Sequence, residues 1–235
     1  MQKELYKNVA NAFTAASLIT ALLMISYFVF EPVVTRSQVS TTFEIHQTIT
    51  GEISFLVEAQ ETTMVGSING LTGGFATGTT FTVVQTNDPD GYNMTIRFPF
   101  STTTGMDGDA TASFINNYST ASSAGGVADY GFDVPTTGNA AEFGYTVNAS
   151  TTADLDPTFR NNGTVCGNTG GGDVSYQCWI NGSTTAETII NTTSAAPYGA
   201  TTTLRFKVAV PNNPSPSLSA DTYTATATLT ATNNP

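Results

Sequence analysis

Thr79 to Phe98, TTFTVVQTNDPDGYNMTIRF, decides the fold class. In its second half Tyr92, Met94, Ile96 and Phe98 take one parity, and Asn93, Thr95 and Arg97 take the other. Successive side chains of a strand point to opposite faces, so a period of two describes a half-buried β-strand. Thr79 to Thr86, carrying Phe81, Val83 and Val84, reads as another strand. Between them, Asp88-Pro89-Asp90-Gly91 is a turn in which proline presets φ and glycine accepts a positive one. Two strands joined in this way are expected to pair as a β-hairpin.

Upstream, Phe43, Ile45 and Ile49 share one parity with Ile53, Phe55 and Val57, while Glu44, His46, Thr48 and Thr50 take the other. This predicts one long strand, or two that meet at a bend at Gly51. Met64 to Gly78, with Gly70, Gly73 and Gly74, reads as connection. Downstream, Ser101 to Ala128 is Thr, Ser, Gly and Asp with little periodicity, and reads as a long loop holding at most a short piece at Ser113 to Tyr118. Glu142 to Ala149 is a strand with Phe143, Tyr145 and Val147 inward. Asp154 to Gly172 is a second polar excursion, and Ser175 to Ile180 a short strand bearing Trp179. Thr185 to Ile190 fits a strand or a short helix. Leu204, Phe206, Val208 and Val210 alternate with Arg205 and Lys207; beyond Pro211 to Pro216, Tyr223, Ala225, Ala227 and Leu229 alternate with a row of threonines. That pair repeats the hairpin-like pattern of the first half.

Many short strands, spaced by turn signals and without helical periodicity, imply an all-β antiparallel sandwich of Ig-like or jelly-roll-like kind over residues 39–235. Its length suits one region or two subdomains.

Residues 1–38 are different. Val9 to Phe30, VANAFTAASLITALLMISYFVF, contains no charged residue. As a helix it would reach roughly 33 Å, enough for a bilayer core. Lys3 and Lys7 precede it, and only Arg36 follows closely, so the positive-inside bias places the N-terminus in the cytoplasm and everything after Pro32 outside. A cleaved signal peptide is the rival reading. Signal h-regions are shorter and end at an A-x-A-like site, for which Thr35-Arg36-Ser37 is a poor substitute, so retention as a single membrane span is favoured.

Charged residues make up 11% of the 235-residue chain, seven basic against eighteen acidic, a net charge of −11. Nucleic-acid binding needs clustered Lys and Arg, which are absent, so no nucleic-acid partner is expected. Cys166 and Cys178 are the only cysteines. In an oxidising compartment the pair favours a disulfide over a metal site, since two thiols and the distant His46 do not make a zinc ligand set.

Catalytic vocabulary is thin. His46, the single histidine, falls on the polar parity of a predicted strand and reads as a surface residue, so no Ser-His or Cys-His arrangement is indicated. Loop carboxylates at spacing two occur at Asp88 and Asp90, Asp107 and Asp109, and Asp154 and Asp156; calcium at Asp107 and Asp109 is the one metal reading they support, without a full calcium-loop motif. No other cofactor is expected. Glycosylation sequons fall at Asn93, Asn117, Asn148, Asn162, Asn181 and Asn191, and matter if the host glycosylates its surface proteins. Lys207, the one lysine beyond the apolar run, reads as exposed.

Several stretches resemble a group of uncharacterised exported surface proteins of ultrasmall bacteria of the candidate phyla radiation. They are Phe28-Val29-Phe30-Glu31-Pro32, Gly70-Leu71-Thr72-Gly73-Gly74, Val83 to Ile96 around Gln85-Thr86-Asn87 and Gly91-Tyr92, Ala141-Glu142-Phe143-Gly144-Tyr145, and Gly199 to Asn233. The resemblance covers most of the chain and implies an exported β-sandwich surface protein without a catalytic residue to carry over. The alanine signal site frequent after Glu-Pro in that group is missing here. In architecture alone, an apolar N-terminal helix followed by a Thr/Ser/Asn-rich β head, the chain is similar to type IV pilins, archaeal pilins and archaellins, though it lacks their usual processing site.

The expectation is a non-enzymatic structural or adhesive protein of the cell surface, held by residues 9–30 in the membrane. Two alternatives stand beside it. One is a pilin-like filament subunit that self-assembles through the helix. The other is a module that binds surface glycans on an exposed aromatic platform, with Trp179, Tyr118 and Tyr130 as candidates that fit the core equally well.

Overall fold

The computed structural model describes residues 2–30, 40–66, 68–99, 104–119, 129–132, 134–135, 137–160, 166 and 176–235. Glu31-Pro32, Thr35-Arg36-Ser37, Asn162, residues 101–103 and 120–128 of the Ser101 to Ala128 stretch and most of the Asp154 to Gly172 excursion lie outside them. Residues up to Thr48 and residues from Ile49 onward form two separate compact units.

The first unit is dominated by α1 (Gln2–Phe30). Its apolar side chains are exposed on all faces, including Phe13, Leu18, Leu22 and Ile25. The hydroxyls inside it bond back to the helix: Thr14 Oγ1 donates to the Ala10 carbonyl at 2.7 Å, Thr20 Oγ1 to Ala16 at 2.8 Å and Ser26 Oγ to Leu23 at 2.9 Å. From Val9 onward the helix is uncharged and its Ser and Thr hydroxyls are satisfied internally, which is compatible with a hydrocarbon surrounding. After it, residues 40–48 form no strand.

The second unit is built from strands. At its centre is β3 (Gly73–Thr86), paired on one side with β1 (Ile53–Val57) and β2 (Ile68–Asn69) and on the other with β11 (Ala196–Val210). β11 pairs in turn with β8 (Glu142–Ala149), beyond which lie β6 (Phe114–Asn117), β5 (Thr104–Gly108) and β12 (Tyr223–Thr224). A smaller sheet has the order β10 (Glu187–Thr192), β4 (Tyr92–Arg97), β13 (Thr228–Asn233). β7 (Asp129–Tyr130) and β9 (Cys178–Trp179) make a short separate pair. Side chains from both larger sheets share one core, with Val84, Tyr92, Met94, Ile96, Tyr145, Val147, Leu204 and Ile190 all buried.

The fold is strand-rich as expected, with corrections. β6 runs parallel to β8, so the large sheet is mixed and not purely antiparallel. The strand order draws neither an Ig-like nor a jelly-roll arrangement. The expected hairpin at Asp88 to Gly91 is absent. Its turn forms, with the Gly91 N–H donating to the Asp88 carbonyl at 3.1 Å and Gly91 at φ +79. Yet β3 and β4 belong to different sheets, so the chain arches from one to the other. The C-terminal pair behaves likewise, since β11 lies in the large sheet and β13 pairs with β4. A turn and a period of two are common to hairpins and arches; which edges are already filled decides between them, and both edges of β3 are taken.

β3 buries one parity of its side chains. Thr82, Val84 and Thr86 point inward and Phe81 outward, half exposed. The buried hydroxyls are satisfied: Thr82 Oγ1 donates to the Val57 carbonyl at 2.7 Å and Thr86 Oγ1 to Glu52 at 2.7 Å. The Gly-rich stretch from Gly73 to Gly78, read as connection, is the first part of this strand. At Gly78, Thr62 and Met64 approach to 3.3 Å of where a Cβ would sit, so the missing side chain admits a packed neighbour. β8 has the bounds the sequence predicts, and the stretch Thr185 to Ile190 is strand from Glu187 onward, as the first part of β10. Of the stretch Thr41 to Val57, only Ile53–Val57 is strand.

Candidate functional site

The sequence-predicted site residues do not converge. His46 is exposed, its Nε2 3.1 Å from Glu44 Oε2. Asp107 is exposed in β5; the Asp109 carboxylate accepts the Thr224 hydroxyl at 2.9 Å. Among the described residues, no group of three or more His, Cys, Asp or Glu could share a metal ion. The carboxylate that organises this corner is Asp221, which the sequence did not single out. It accepts the Thr111 hydroxyl at 2.7 Å and the backbone N–H groups of Ala110, Thr111 and Thr222. The Thr111 hydroxyl, joined by those N–H groups, holds its carboxyl below the usual range.

A second acidic cluster sits beside the core. Tyr145 Oη donates to Glu187 Oε2 at 3.0 Å, with Asp156 close enough to act on both by charge. Burial pushes the Tyr145 phenol well above its ordinary value and raises the Glu187 carboxyl. Asp156 itself caps a short 3-10 turn, its Oδ1 accepting the Thr158 N–H at 2.9 Å. Their partners are Phe98, Phe159 and one another, as in a buried structural network.

Cys166 and Cys178 are joined, with Cα atoms 5.9 Å apart. Both are buried in the main core. Of the two readings of the aromatic candidates, the core one holds for Trp179 and Tyr118: both are buried, Phe132 stacking on Tyr118 at 4.1 Å between centroids and meeting Trp179 edge-on at 5.6 Å. They form a second core with Ala209 on the outer face of β8 and β11. The side chain of Tyr130 lies outside the described set. Lys207 is half buried rather than exposed, donating to the Phe132 carbonyl and lying over the rings of Phe132 and Phe75. Of the sequons, Asn191 is exposed on β10, and Asn93, Asn148 and Asn181 are partly covered. Asn117 is buried, its amide bonded to both the N–H and the carbonyl of Gly182, so the folded chain does not offer it.

One concavity was not visible in the sequence. A groove of about 1000 Å³ is lined by Ala59 to Met64 on one side, by Ala225, Ala227 and Leu229 on another, and by Leu204, Phe206 and Val208. Its carboxylates are Glu61 and Asp221, the latter already engaged; no His, Cys or Lys lines it. Such a lining can hold apolar side chains and supplies no acid–base pair. Neither Glu187 nor Tyr145 reaches it. Comparison with protein-family models, with curated proteins and with solved structures returned no match.

Proposed function

We propose that this chain is an exported, non-enzymatic structural or adhesive protein of the cell surface, with α1 retained as a single membrane span and the β region outside. The observation that carries the reading is α1 itself: 29 residues, about 43 Å at helical rise, uncharged from Val9 onward and with its Ser and Thr hydroxyls bonded to its own carbonyls. Lys3 and Lys7 at its start give the orientation. The disulfide suits an oxidising compartment, and the acidic, weakly charged surface suits solubility there. In this reading the two larger sheets are the layers of a sandwich, and the polar excursions between strands are what the cell presents. The likeness to surface proteins of candidate phyla radiation bacteria agrees with it.

The test is fractionation of cells expressing the full chain, followed by mass spectrometry of its N-terminus. Recovery in alkali-washed membranes with Met1 to Ser37 intact is the expected result. A chain in the medium beginning near Gln38 would replace the anchor with a cleaved signal. Recovery in sheared filaments would move the assignment to a filament subunit.

A further inference from the structure

The sequence holds Asn69-Gly70, Asn162-Gly163 and Asn181-Gly182, of which the first and last pairs lie within the described residues. Asn followed by Gly is chemically labile wherever it is free. The nitrogen of the second residue can close a five-membered ring on the Asn side-chain carbonyl, and glycine puts no Cβ in its way. What the fold does to each pair decides which one reacts.

At Asn181 both reacting groups are engaged. Gly182 is buried, and its N–H, the attacking group, donates to Asn117 Oδ1 at 3.2 Å. The Gly182 carbonyl accepts from Asn117 Nδ2 at 2.9 Å and from Asn181 Nδ2 at 3.3 Å. Ring closure there has to break a buried hydrogen bond first.

At Asn69 neither group is engaged. Asn69 and Gly70 are exposed, and among the described residues neither the Asn69 carboxamide nor the Gly70 N–H makes a hydrogen bond. Space around the attacking nitrogen is open: beyond its chain neighbours, a Cβ on Gly70 would find one atom within 4 Å, the Leu218 carbonyl oxygen at 3.3 Å. The backbone is lightly tied as well, since β2 is two residues long and pairs with β3 alone among the described strands. So short an edge strand opens at little cost, which lets Asn69 turn toward the Gly70 nitrogen.

We propose that Asn69-Gly70 is a site of spontaneous deamidation in the folded protein, and that Asn117 protects Asn181-Gly182 from the same reaction. The Gly70 nitrogen gives its proton to solvent and bonds to Asn69 Cγ. The Cγ–Nδ2 bond then breaks, and the leaving nitrogen takes a proton from water and departs as ammonia. Water next opens the succinimide, at Cγ to give aspartate or at the main-chain carbonyl to give isoaspartate. Either product adds a negative charge to a chain already at −11. That charge arrives at the rim of the groove, which Asn69 and Gly70 line with Ile68 and Leu218, so aged molecules differ from new ones there. The chemistry needs only water and holds wherever the β region is delivered.

The experiment incubates the purified full chain in detergent at pH 8 in oxygen-18 water. Peptides containing residues 69 and 181 are followed by mass spectrometry, with fragmentation that separates aspartate from isoaspartate. The expected result is labelled aspartate and isoaspartate at Asn69, forming roughly tenfold or more faster than at Asn181. In denaturant the two sites should convert at similar rates. Unlabelled isoaspartate already present at Asn69 and absent at Asn181 supports the proposal equally. Asn69→Gln, which would need a larger ring, should remove conversion at that peptide and leave Asn181 unchanged. An Asn69 that stays an amide in the folded chain while both sites convert in denaturant overturns the proposal. Equal rates at the two sites in the folded chain, or a faster Asn181, also overturn it.

Discussion

Thr41 to Thr50 and Tyr92 to Phe98 carry the same pattern and meet opposite fates. Met94 and Ile96 are 0 and 1% exposed, packed between neighbours on both edges of β4, whereas Phe43 and Ile45 stand in water. Alternation prepares a stretch to be a strand; a partner on each edge and a layer to face make it one. α1 shows the same exposure at a larger scale, its apolar side chains uncovered on all faces.

This contrast can be broken or sharpened by substitution. Phe98→Ala removes a ring that contacts both Phe143 and Tyr145, and should cost about 3–5 kcal/mol in a denaturant titration. Replacing Cys166 and Cys178 by serine releases a link of sequence separation 12 inside the core, with an expected loss of about 3 kcal/mol that reducing agent reproduces in the parent chain. Gly91→Ala tests the arch: the residue has φ +79 and the Thr192 carbonyl lies 2.2 Å from where a Cβ would stand, so a loss of about 1–3 kcal/mol is expected.

Glu187 gives a pH signature. Burial raises its carboxyl above the unfolded value, so its contribution favours the folded state below the ordinary carboxylate range and is lost as pH rises through the raised value. Glu187→Gln keeps an acceptor for Tyr145, and should melt higher than the parent at pH 7 with a smaller difference at pH 4. Asp221 has the opposite sign: its lowered carboxyl supports the fold above its ordinary value and loses that support as pH falls through the lowered one. The smallest effect belongs to Ile45→Ala, within about 0.5 kcal/mol, against about 2–5 kcal/mol for Met94→Ala. Equal losses at the two sites would erase the contrast.

Much of the local structure was legible. Val9 to Phe30 declared α1, Phe143-Tyr145-Val147 declared β8, and Pro89 with Gly91 declared the turn, because each signal acts within a few residues. Pairing was not legible. The arch at Asp88 to Gly91 and the parallel contact of β6 with β8 depend on which edges are free once distant strands have paired. β5, Thr104–Gly108, carries glycine and aspartate and only Met106 inward, too little pattern to read as a strand. Whether Trp179 and Tyr118 were platform or core stayed open, because composition cannot show that Phe132 covers both. The groove joins Ala59, Phe206 and Leu229, residues far apart in the chain and of types that carry no motif.

The account stands on the side of the membrane to which each end of the chain is delivered. Epitopes fused before Met1 and after Pro235, stained with antibody on intact and on permeabilised cells, measure this directly. The prediction is that the C-terminal epitope stains on intact cells while the N-terminal one stains only after permeabilisation. A C-terminal epitope hidden until the membrane is opened would contradict it.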